Sequence, residues 1–166
     1  MSVPIDCQKI ADEFIVSNDK LREMLKSKDG TGLWTVQCKA CLEPDEKNAR
    51  AYITSDSEVI LCNNRLKTKG KIEEALNHEA VHAYDFTNNR CDFNTCEGVA
   101  YSEIRAARNA ECSGYYPFEW LRNSCIKATA TNATGNIFPR DASKCMKSVF
   151  KAAVVDISPY PPKDTS

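Results

Sequence analysis

The sequence predicts an α+β fold in one domain, a small β-sheet followed by a set of helices. A chain of 166 residues is long enough for one domain with a hydrophobic core. Short segments rich in β-branched and aromatic residues lie in the first part of the chain, between turn residues. Longer segments with helical spacing of apolar residues follow them. We expect the domain to span residues 1–156 and residues 157–166 to form a flexible tail.

The first 62 residues are predicted to form one helix and a small sheet. Residues 4–26 have apolar side chains at helical spacing with charged residues between them, and Pro4 suits a first helical turn. The glycines at 30 and 32 end this helix. Three extended segments follow, at residues 33–38, 50–54 and 58–62. A hairpin turn at residues 55–57 joins the last two.

The rest of the chain is predicted to be helical. Residues 71–87 contain good helix formers and neither proline nor glycine. A second helix over residues 97–112 ends before Gly114, a typical helix stop. Three further segments are a short helix at 118–127, a polar linker at 129–136 and a last helix from 139 to about 155. The prolines after residue 158 prevent a helix in the tail.

The composition excludes several classes of protein. The net charge is −1, so no strong electric field attracts nucleic acid or an anionic lipid surface, and we expect no nucleic-acid partner. No apolar segment approaches the ~20 residues that a membrane span requires. The first residues resemble neither a secretion signal nor an Arg-rich transit peptide. We therefore expect either a cytosolic protein or one that enters a compartment by another route.

The cysteine content favours an oxidising compartment. The chain has nine cysteines, many more than a typical cytosolic enzyme of this size, and an odd number leaves at least one thiol unpaired within the chain. Cys38, Cys41 and Cys62 are candidates for a structural zinc site, but no second Cys-x-x-Cys pair completes it. We expect disulfides instead, formed among Cys7, Cys38, Cys41, Cys62, Cys91, Cys96, Cys112, Cys125 and Cys145.

The sequence His78-Glu79-Ala80-Val81-His82 predicts a zinc site. It has the pattern H-E-x-x-H, and the chain has no other histidine. Residues four apart lie on the same face of a helix, so the two imidazoles can bind one zinc ion. The glutamate between them can act as a general base on a water molecule. We therefore expect one catalytic Zn²⁺ in a zincin-like metallopeptidase domain, with Glu79 as the catalytic residue.

The third zinc ligand must come from another residue type, because both histidines are used. The metzincin pattern is excluded, since Asn88 stands where its third histidine would be. Asp85 is about 10 Å along the helix from His78, so we expect it to support the site or the helix end and not to bind the metal. Glu103, on the next helix, is the preferred ligand. The alternatives are Glu111 and Asp92, then Glu97 and Cys96.

The residue that stabilises the oxyanion during peptide hydrolysis is left open by the sequence. Such a residue must donate a hydrogen bond to a developing negative charge. Five tyrosines and arginines near the second helix have suitable groups, and they are Tyr101, Tyr115, Tyr116, Arg105 and Arg108.

Two motifs identify a family resemblance. The stretch His78-Glu79-Ala80-Val81-His82-Ala83-Tyr84-Asp85, followed by Ser102-Glu103-Ile104-Arg105-Ala106-Ala107, resembles the mitochondrial metalloproteases that mature ATP synthase and help to assemble it. Members of this family are also described as Ku-binding proteins. The Cys38-x-x-Cys41 pair, the strand at residues 59–63 and the Glu111-Cys112 pair support the resemblance, which covers most of the chain.

The resemblance implies a location, a substrate and a second activity. It implies a zinc endopeptidase of the mitochondrial intermembrane space, peripheral on the inner membrane, cysteine-rich and imported without a cleaved presequence. The implied substrate is the precursor of ATP synthase subunit a or a similar protein. His78, His82 and Glu103 carry over as metal ligands and Glu79 as the acid/base. The alternative is a non-proteolytic ATP synthase assembly chaperone that retains the zinc site.

Overall fold

Residues 5–46, 48–115 and 117–160 are described by the structure, a computed structural model of the chain. The chain divides into two compact units, residues 1–87 and 88–166. Over the described residues, the first unit has three strands and three α-helices, and the second has three further α-helices. The predicted α+β class is confirmed. The boundary between a domain over 1–156 and a tail stays a prediction, and residues 161–166 lie outside the described ranges.

The N-terminal segment forms two helices, so the prediction of one helix over residues 4–26 is wrong. Helix α1 spans Cys7–Ser17 and helix α2 spans Asp19–Met24. Asn18 separates them with an extended backbone, and its side chain accepts a hydrogen bond from the Leu21 N–H. Asparagine favours this capping position because its side chain competes with the helical backbone. Pro4, the predicted first turn, lies outside the described residues.

Three strands form the sheet of the first unit. They are β1 (Thr35–Lys39), β2 (Ala51–Ile53) and β3 (Glu58–Cys62), in the order β1-β3-β2. Strand β3 pairs parallel with β1 and antiparallel with β2. The predicted hairpin between β2 and β3 is confirmed, and Ser57 in its turn has a positive φ of 62°. Strand β1 begins two residues later and ends one residue later than predicted, and β2 is one residue shorter at each end.

Helix α3, Lys69–Thr87, carries the two histidines and packs on strands β2 and β3. It begins two residues before the predicted start, so Gly70 lies in its first turn. The Thr68 side chain accepts a hydrogen bond from the Lys71 N–H at 3.2 Å and so caps the helix. The histidine motif therefore lies in the middle of a 19-residue helix, away from frayed ends.

Both ends of helix α3 are fixed to other parts of the first unit. Near its start, Glu74 pairs with Arg50 just before β2, with 3.1 Å between the charged atoms. Near its end, the Trp34 indole N–H donates to the Thr87 hydroxyl at 2.9 Å, and its ring meets Phe86 edge-on at 5.9 Å. These contacts fix the direction of the helix relative to the sheet.

The second unit is a packed set of three helices. They are α4 (Cys96–Asn109), α5 (Glu119–Ile137) and α6 (Ala142–Ala153), each in contact with the other two. The predicted short helix with a polar linker at 129–136 is wrong, because α5 continues through that segment. The last helix is shorter at both ends than the predicted 139–155.

A close backbone approach explains the glycine in the first turn of α4. A Cβ atom on Gly98 would lie 1.9 Å from the backbone oxygen of Asp92, which no side chain tolerates. The Thr95 hydroxyl accepts a hydrogen bond from the Gly98 N–H at 3.1 Å, so the same turn caps the helix. The loop before α4 is thus folded directly onto the helix start.

Two disulfides join elements within each unit, four in all, as the cysteine content predicted. Cys7–Cys38 joins α1 to β1, and Cys41–Cys62 ties the following loop to the end of β3. The suggested structural zinc site at Cys38, Cys41 and Cys62 is therefore excluded. In the second unit the pairs are Cys96–Cys145, between α4 and α6, and Cys112–Cys125, between the end of α4 and α5. Cys91 is the free cysteine.

Asp156 fixes the segment after α6 within the second unit. Its carboxylate accepts hydrogen bonds from Tyr101 and from the Ser158 N–H, and it lies 2.5 Å from an Arg90 nitrogen and 3.6 Å from Arg105 Nε. Burial raises the pKa of Asp156, but these hydrogen bonds outweigh burial and hold the pKa well below its usual value. The charged carboxylate therefore stabilises the unit at neutral pH, and this contribution is lost as the pH falls through its lowered pKa.

Candidate metal centre

The structure brings the two histidines together on α3. The Nε2 atoms of His78 and His82 lie 3.1 Å apart, and the ring centroids lie 4.8 Å apart at an angle of 75°. Both residues are buried, at 9% and 8% exposure. Two imidazole nitrogens thus point to the same place within a largely water-excluded part of the protein.

The separation of these nitrogens fits one zinc ion. With Zn–N bonds of about 2.0–2.1 Å and tetrahedral angles, two ligand nitrogens lie about 3.3 Å apart. The observed 3.1 Å is within a few tenths of an ångström of that value. A hydrogen bond between two neutral imidazoles gives a similar distance. The two nitrogens are therefore compatible with a metal ion.

Glu79 lies next to the pair and is itself buried. It follows His78 along α3, about 100° around the helix axis, and is 7% exposed. A carboxylate is rarely buried to this extent without a charged, metal or hydrogen-bonded partner. Glu79 is thus a buried residue on the histidine helix, and its role as the general base stays a prediction.

Asp85 is fully buried near the end of α3. It lies seven residues after His78, about two helical turns along the same face. The sequence analysis assigned it a supporting role and not metal binding, and that assignment stays a prediction.

The structure narrows the choice of a third ligand among the residues of the second unit. Cys96 is excluded because its sulfur forms a disulfide with Cys145. The Asp92 carboxylate accepts hydrogen bonds from the Asn94 backbone and side chain at 2.9 and 3.0 Å, so it stabilises the turn before α4. Glu97 is exposed. Glu103 is half-buried in the middle of α4, and Glu111 lies just beyond its end.

The oxyanion candidates on α4 face away from Glu103. At about 100° per residue, Tyr101 and Arg105 lie about 160° around the helix from Glu103, and Arg108 lies about 140° from it. Tyr101 and Arg105 also contact the Asp156 segment. The role of these three residues in stabilising an oxyanion stays a prediction. The side chains of the remaining candidates, Tyr115 and Tyr116, lie outside the described part of the structure.

Two features of the second unit were missed by sequence reasoning. Asp156 has no local motif, and its partners Tyr101 and Arg90 are 55 and 66 residues away in sequence. Arg108 and Arg122 lie on adjacent helices, and only the packing of α4 on α5 brings them near each other. No spacing in the sequence indicates either arrangement.

Among the described residues, no helix is both long enough and apolar enough to cross a membrane.

Comparisons with known proteins show similarity to a family of peptidases. The model of the peptidase M76 family matches residues 6–161, which includes α3 and α4. The chain is 29% identical to "Mitochondrial inner membrane protease ATP23" of Mycosarcoma maydis over 67% of its length, and 29% identical to that of Schizosaccharomyces pombe over 86%. It is 25% identical to the human "Mitochondrial inner membrane protease ATP23 homolog" over 73% of its length.

The coverage of these relatives is partial. The chain spans 57% of the Mycosarcoma maydis protein, 78% of the Schizosaccharomyces pombe protein and 54% of the human protein. No solved structure matches the chain.

The family resemblance inferred from the two motifs is confirmed. The relatives' names place those proteins at the mitochondrial inner membrane, in agreement with the predicted location. The family match covers nearly the whole chain and includes the buried histidine pair with its adjacent glutamate. The chain therefore belongs to the peptidase M76 family.

Proposed function

We propose that the chain is a zinc-dependent endopeptidase. The observation that carries the proposal is the pair of imidazole nitrogens of the buried residues His78 and His82 on α3, 3.1 Å apart, with the buried residue Glu79 next to His78 on the same helix. Membership of a peptidase family and the protease names of the relatives support it.

His78, His82 and Glu103 are the proposed zinc ligands. They offer two imidazole nitrogens and one carboxylate oxygen, a donor set found in catalytic zinc sites that leave one position open. Glu103 is preferred over Glu111 because it lies within the ordered helix α4, whereas Glu111 follows the helix end. A ligand on a helix interior is positioned more accurately than one in a turn.

Glu79 is the proposed general base. It takes a proton from the attacking water and transfers a proton to the leaving amine, which needs a carboxylate held beside the reacting atoms. Zinc, when bound, supplies a Lewis acid that polarises the scissile carbonyl and lowers the pKa of water. Burial of Glu79 and both histidines excludes bulk water from these groups and strengthens their electrostatic effect.

The proposed substrate is a mitochondrial membrane protein. The resemblance implies the precursor of ATP synthase subunit a or a similar protein, cleaved in the intermembrane space by a protease peripheral on the inner membrane. The four disulfides suit an oxidising compartment of that kind. The near-neutral charge gives no support to nucleic acid as a partner.

Chelation tests this function. We expect the oxidised protein to cleave an unfolded test protein, to lose that activity in a zinc chelator, and to regain it when zinc is added back. Calcium added to the chelated protein is the control, since a hard cation does not favour two imidazole ligands. Cleavage that continues at full rate in the chelator would exclude a zinc endopeptidase.

A further inference from the structure

Helix α6 presents a row of lysines to solvent. Lys144, Lys147 and Lys151, which we call the lysine row, are exposed and lie within about 60° around the helix and about 10 Å along its axis. Among the described residues, none of the three forms an ion pair with a carboxylate. Arg140, exposed in the turn before α6, adds a fourth cation, and Asp141 is the one acidic residue of the segment 139–155. This segment therefore has a net charge of +3 in a chain whose net charge is −1.

The charge of the lysine row is not cancelled by Asp156, the next acidic residue along the chain. The Asp156 carboxylate pairs with Arg90 and Arg105 and accepts a hydrogen bond from Tyr101. Lys127 on α5 adds a cation at the side of α6, since its Nζ lies 4.8 Å from the centroid of the Phe150 ring. The lysine row thus keeps its positive charge in the folded unit.

The lysine row does not help α6 to fold. Lys144 lies in the first turn, where the helix dipole disfavours a positive charge, and this turn contains no acidic residue. Lys147 and Lys151 are four residues apart, so their like charges repel each other. Lys151 alone suits its place, in the last turn. A pattern that works against local structure indicates a function for these side chains.

The exposed residues beside the lysine row are small. Ser143 lies on one side of the row, and Ser148 and Ala152 lie on the other. The Ser148 hydroxyl donates a hydrogen bond to the Cys145 carbonyl of the same helix at 2.7 Å, so it lies against α6. Small side chains at a contact let the axes of two helices come close together. The face is therefore shaped to receive a second helix between long, flexible lysines.

The surroundings of the row favour a protein partner over a lipid surface or a nucleic acid. A helix that lies in a membrane surface inserts an apolar face, but the apolar residues of α6 pack in the core of the second unit. Its exposed positions carry lysine, serine and alanine, with no aromatic side chain to stack on bases or to anchor at lipid headgroups. Carboxylates on one face of a partner helix recur at the same spacing as the lysines.

We propose that the exposed face of α6 binds an acidic helix of another protein. In this complex Lys144, Lys147 and Lys151 pair with carboxylates that are spaced three and four residues apart. The inference goes beyond the proposed peptidase function, because α6 carries none of the proposed catalytic or metal-binding residues. Binding is measured without cleavage, so the two proposals can fail separately.

The test is an NMR titration of the ¹⁵N-labelled, disulfide-intact protein with an alanine-based helical peptide. The peptide carries three glutamates on one face, at spacings of three and four residues. We expect the amide signals of residues 140–155 to shift at low salt and the affinity to fall as salt screens the charges. A peptide with the same three glutamates spread around the helix should bind about fivefold more weakly, because fewer ion pairs form at once.

Removal of the lysine row provides the decisive variant. Each exposed ion pair contributes a factor of about two to five, so Lys144→Gln with Lys147→Gln and Lys151→Gln should weaken binding about 10- to 100-fold. The matched control makes the same change of net charge in the first unit, with three other exposed lysines: Lys9→Gln, Lys26→Gln and Lys28→Gln. Binding by the control should stay within about twofold of wild type.

An exchange of charges tests the pairing itself. Lys147→Glu with Lys151→Glu should lose the glutamate peptide and bind a peptide with lysines at the same positions, which the wild-type protein does not bind. Thermal melting shows that the variants are folded. The triple glutamine variant should melt close to the wild-type temperature, since the three side chains are exposed and form no ion pair among the described residues.

Four results would overturn the inference. One is unchanged peptide binding by the folded triple variant, and another is equal binding of the two glutamate peptides, which would reduce the effect to net charge. The third is no peptide binding together with row-dependent binding of phosphatidylglycerol vesicles or polyuridylate, which would assign the row to a lipid or a nucleic acid. The fourth is a dimer of this chain that the triple variant loses, which would assign the row to a second copy.

Discussion

Replacement of Glu79 by glutamine is expected to lower the rate of peptide cleavage by at least about 100-fold, since a positioned general base contributes about 10²–10⁴. Glutamine has nearly the same size and fills the same buried position, but its amide cannot take a proton from water. Zinc content should be unchanged, because the two imidazoles on either side are intact. The measurement is the initial rate on an unfolded test protein, with zinc determined on the same samples.

The matched control is Glu73→Gln on the same helix. Glu73 is a partly exposed residue that pairs with Lys69 at 3.7 Å, so its loss should leave cleavage within about twofold of wild type. Wild-type cleavage by Glu79→Gln would contradict the assignment of the base. Restoration of ATP synthase assembly by Glu79→Gln in cells that lack the protein would point to the alternative, a non-proteolytic assembly role.

Loss of the Cys96–Cys145 disulfide is expected to lower the free energy of unfolding by about 4 kcal/mol. The bond closes a loop with a sequence separation of 49 residues, and the chain-entropy estimate for that length gives this value. The bond also joins α4 to α6 within the core of the second unit, where Cys96 and Cys145 are 8% and 2% exposed. The variant Cys96→Ala with Cys145→Ala, unfolded in urea, provides the measurement.

A second disulfide provides a graded comparison. Cys112–Cys125 closes a separation of 13 residues, so its removal should cost about 3 kcal/mol by the same estimate. Cys91→Ala is the control, because that thiol is free and half-buried and burial raises its pKa to about 11, which keeps it unreactive. If both disulfide variants unfold at the same urea concentration as Cys91→Ala, the disulfides do not hold this unit together.

The histidine helix was predictable because its evidence is local. The H-E-x-x-H spacing requires a helix, the flanking residues favour one, and the buried imidazole pair on α3 is what that spacing implies. Strand β3 was also predicted with its observed bounds, since residues 58–62 are rich in β-branched and apolar side chains.

The errors occurred where distant packing overrides local composition. Residues 129–136 are polar and suggest a linker, yet they are helical because Ile126, Ala130 and Thr134 recur every four residues and are buried in the second unit. The break at Asn18 shows the opposite case, in which one capping side chain interrupts an apolar pattern that suggests a continuous helix.

The groups that complete the site and the second unit depend on contacts that one sequence does not encode locally. Glu103 was chosen from spacing and resemblance, whereas Asp156 and the Arg108–Arg122 pair depend on how α4, α5 and the C-terminal segment pack. Residue types and spacings within one helix were predictable, and pairings between helices were not.

The zinc bound per chain tests the central claim most directly. We expect about one equivalent in the disulfide-intact wild-type protein and in Glu111→Gln, and a zinc affinity at least about 100-fold weaker in Glu103→Gln, since even residues that only support a ligand contribute 10–100-fold. Elemental analysis after dialysis against a competing chelator makes the measurement. A wild-type protein without zinc, or a Glu103→Gln variant that keeps zinc while Glu111→Gln loses it, would contradict the account.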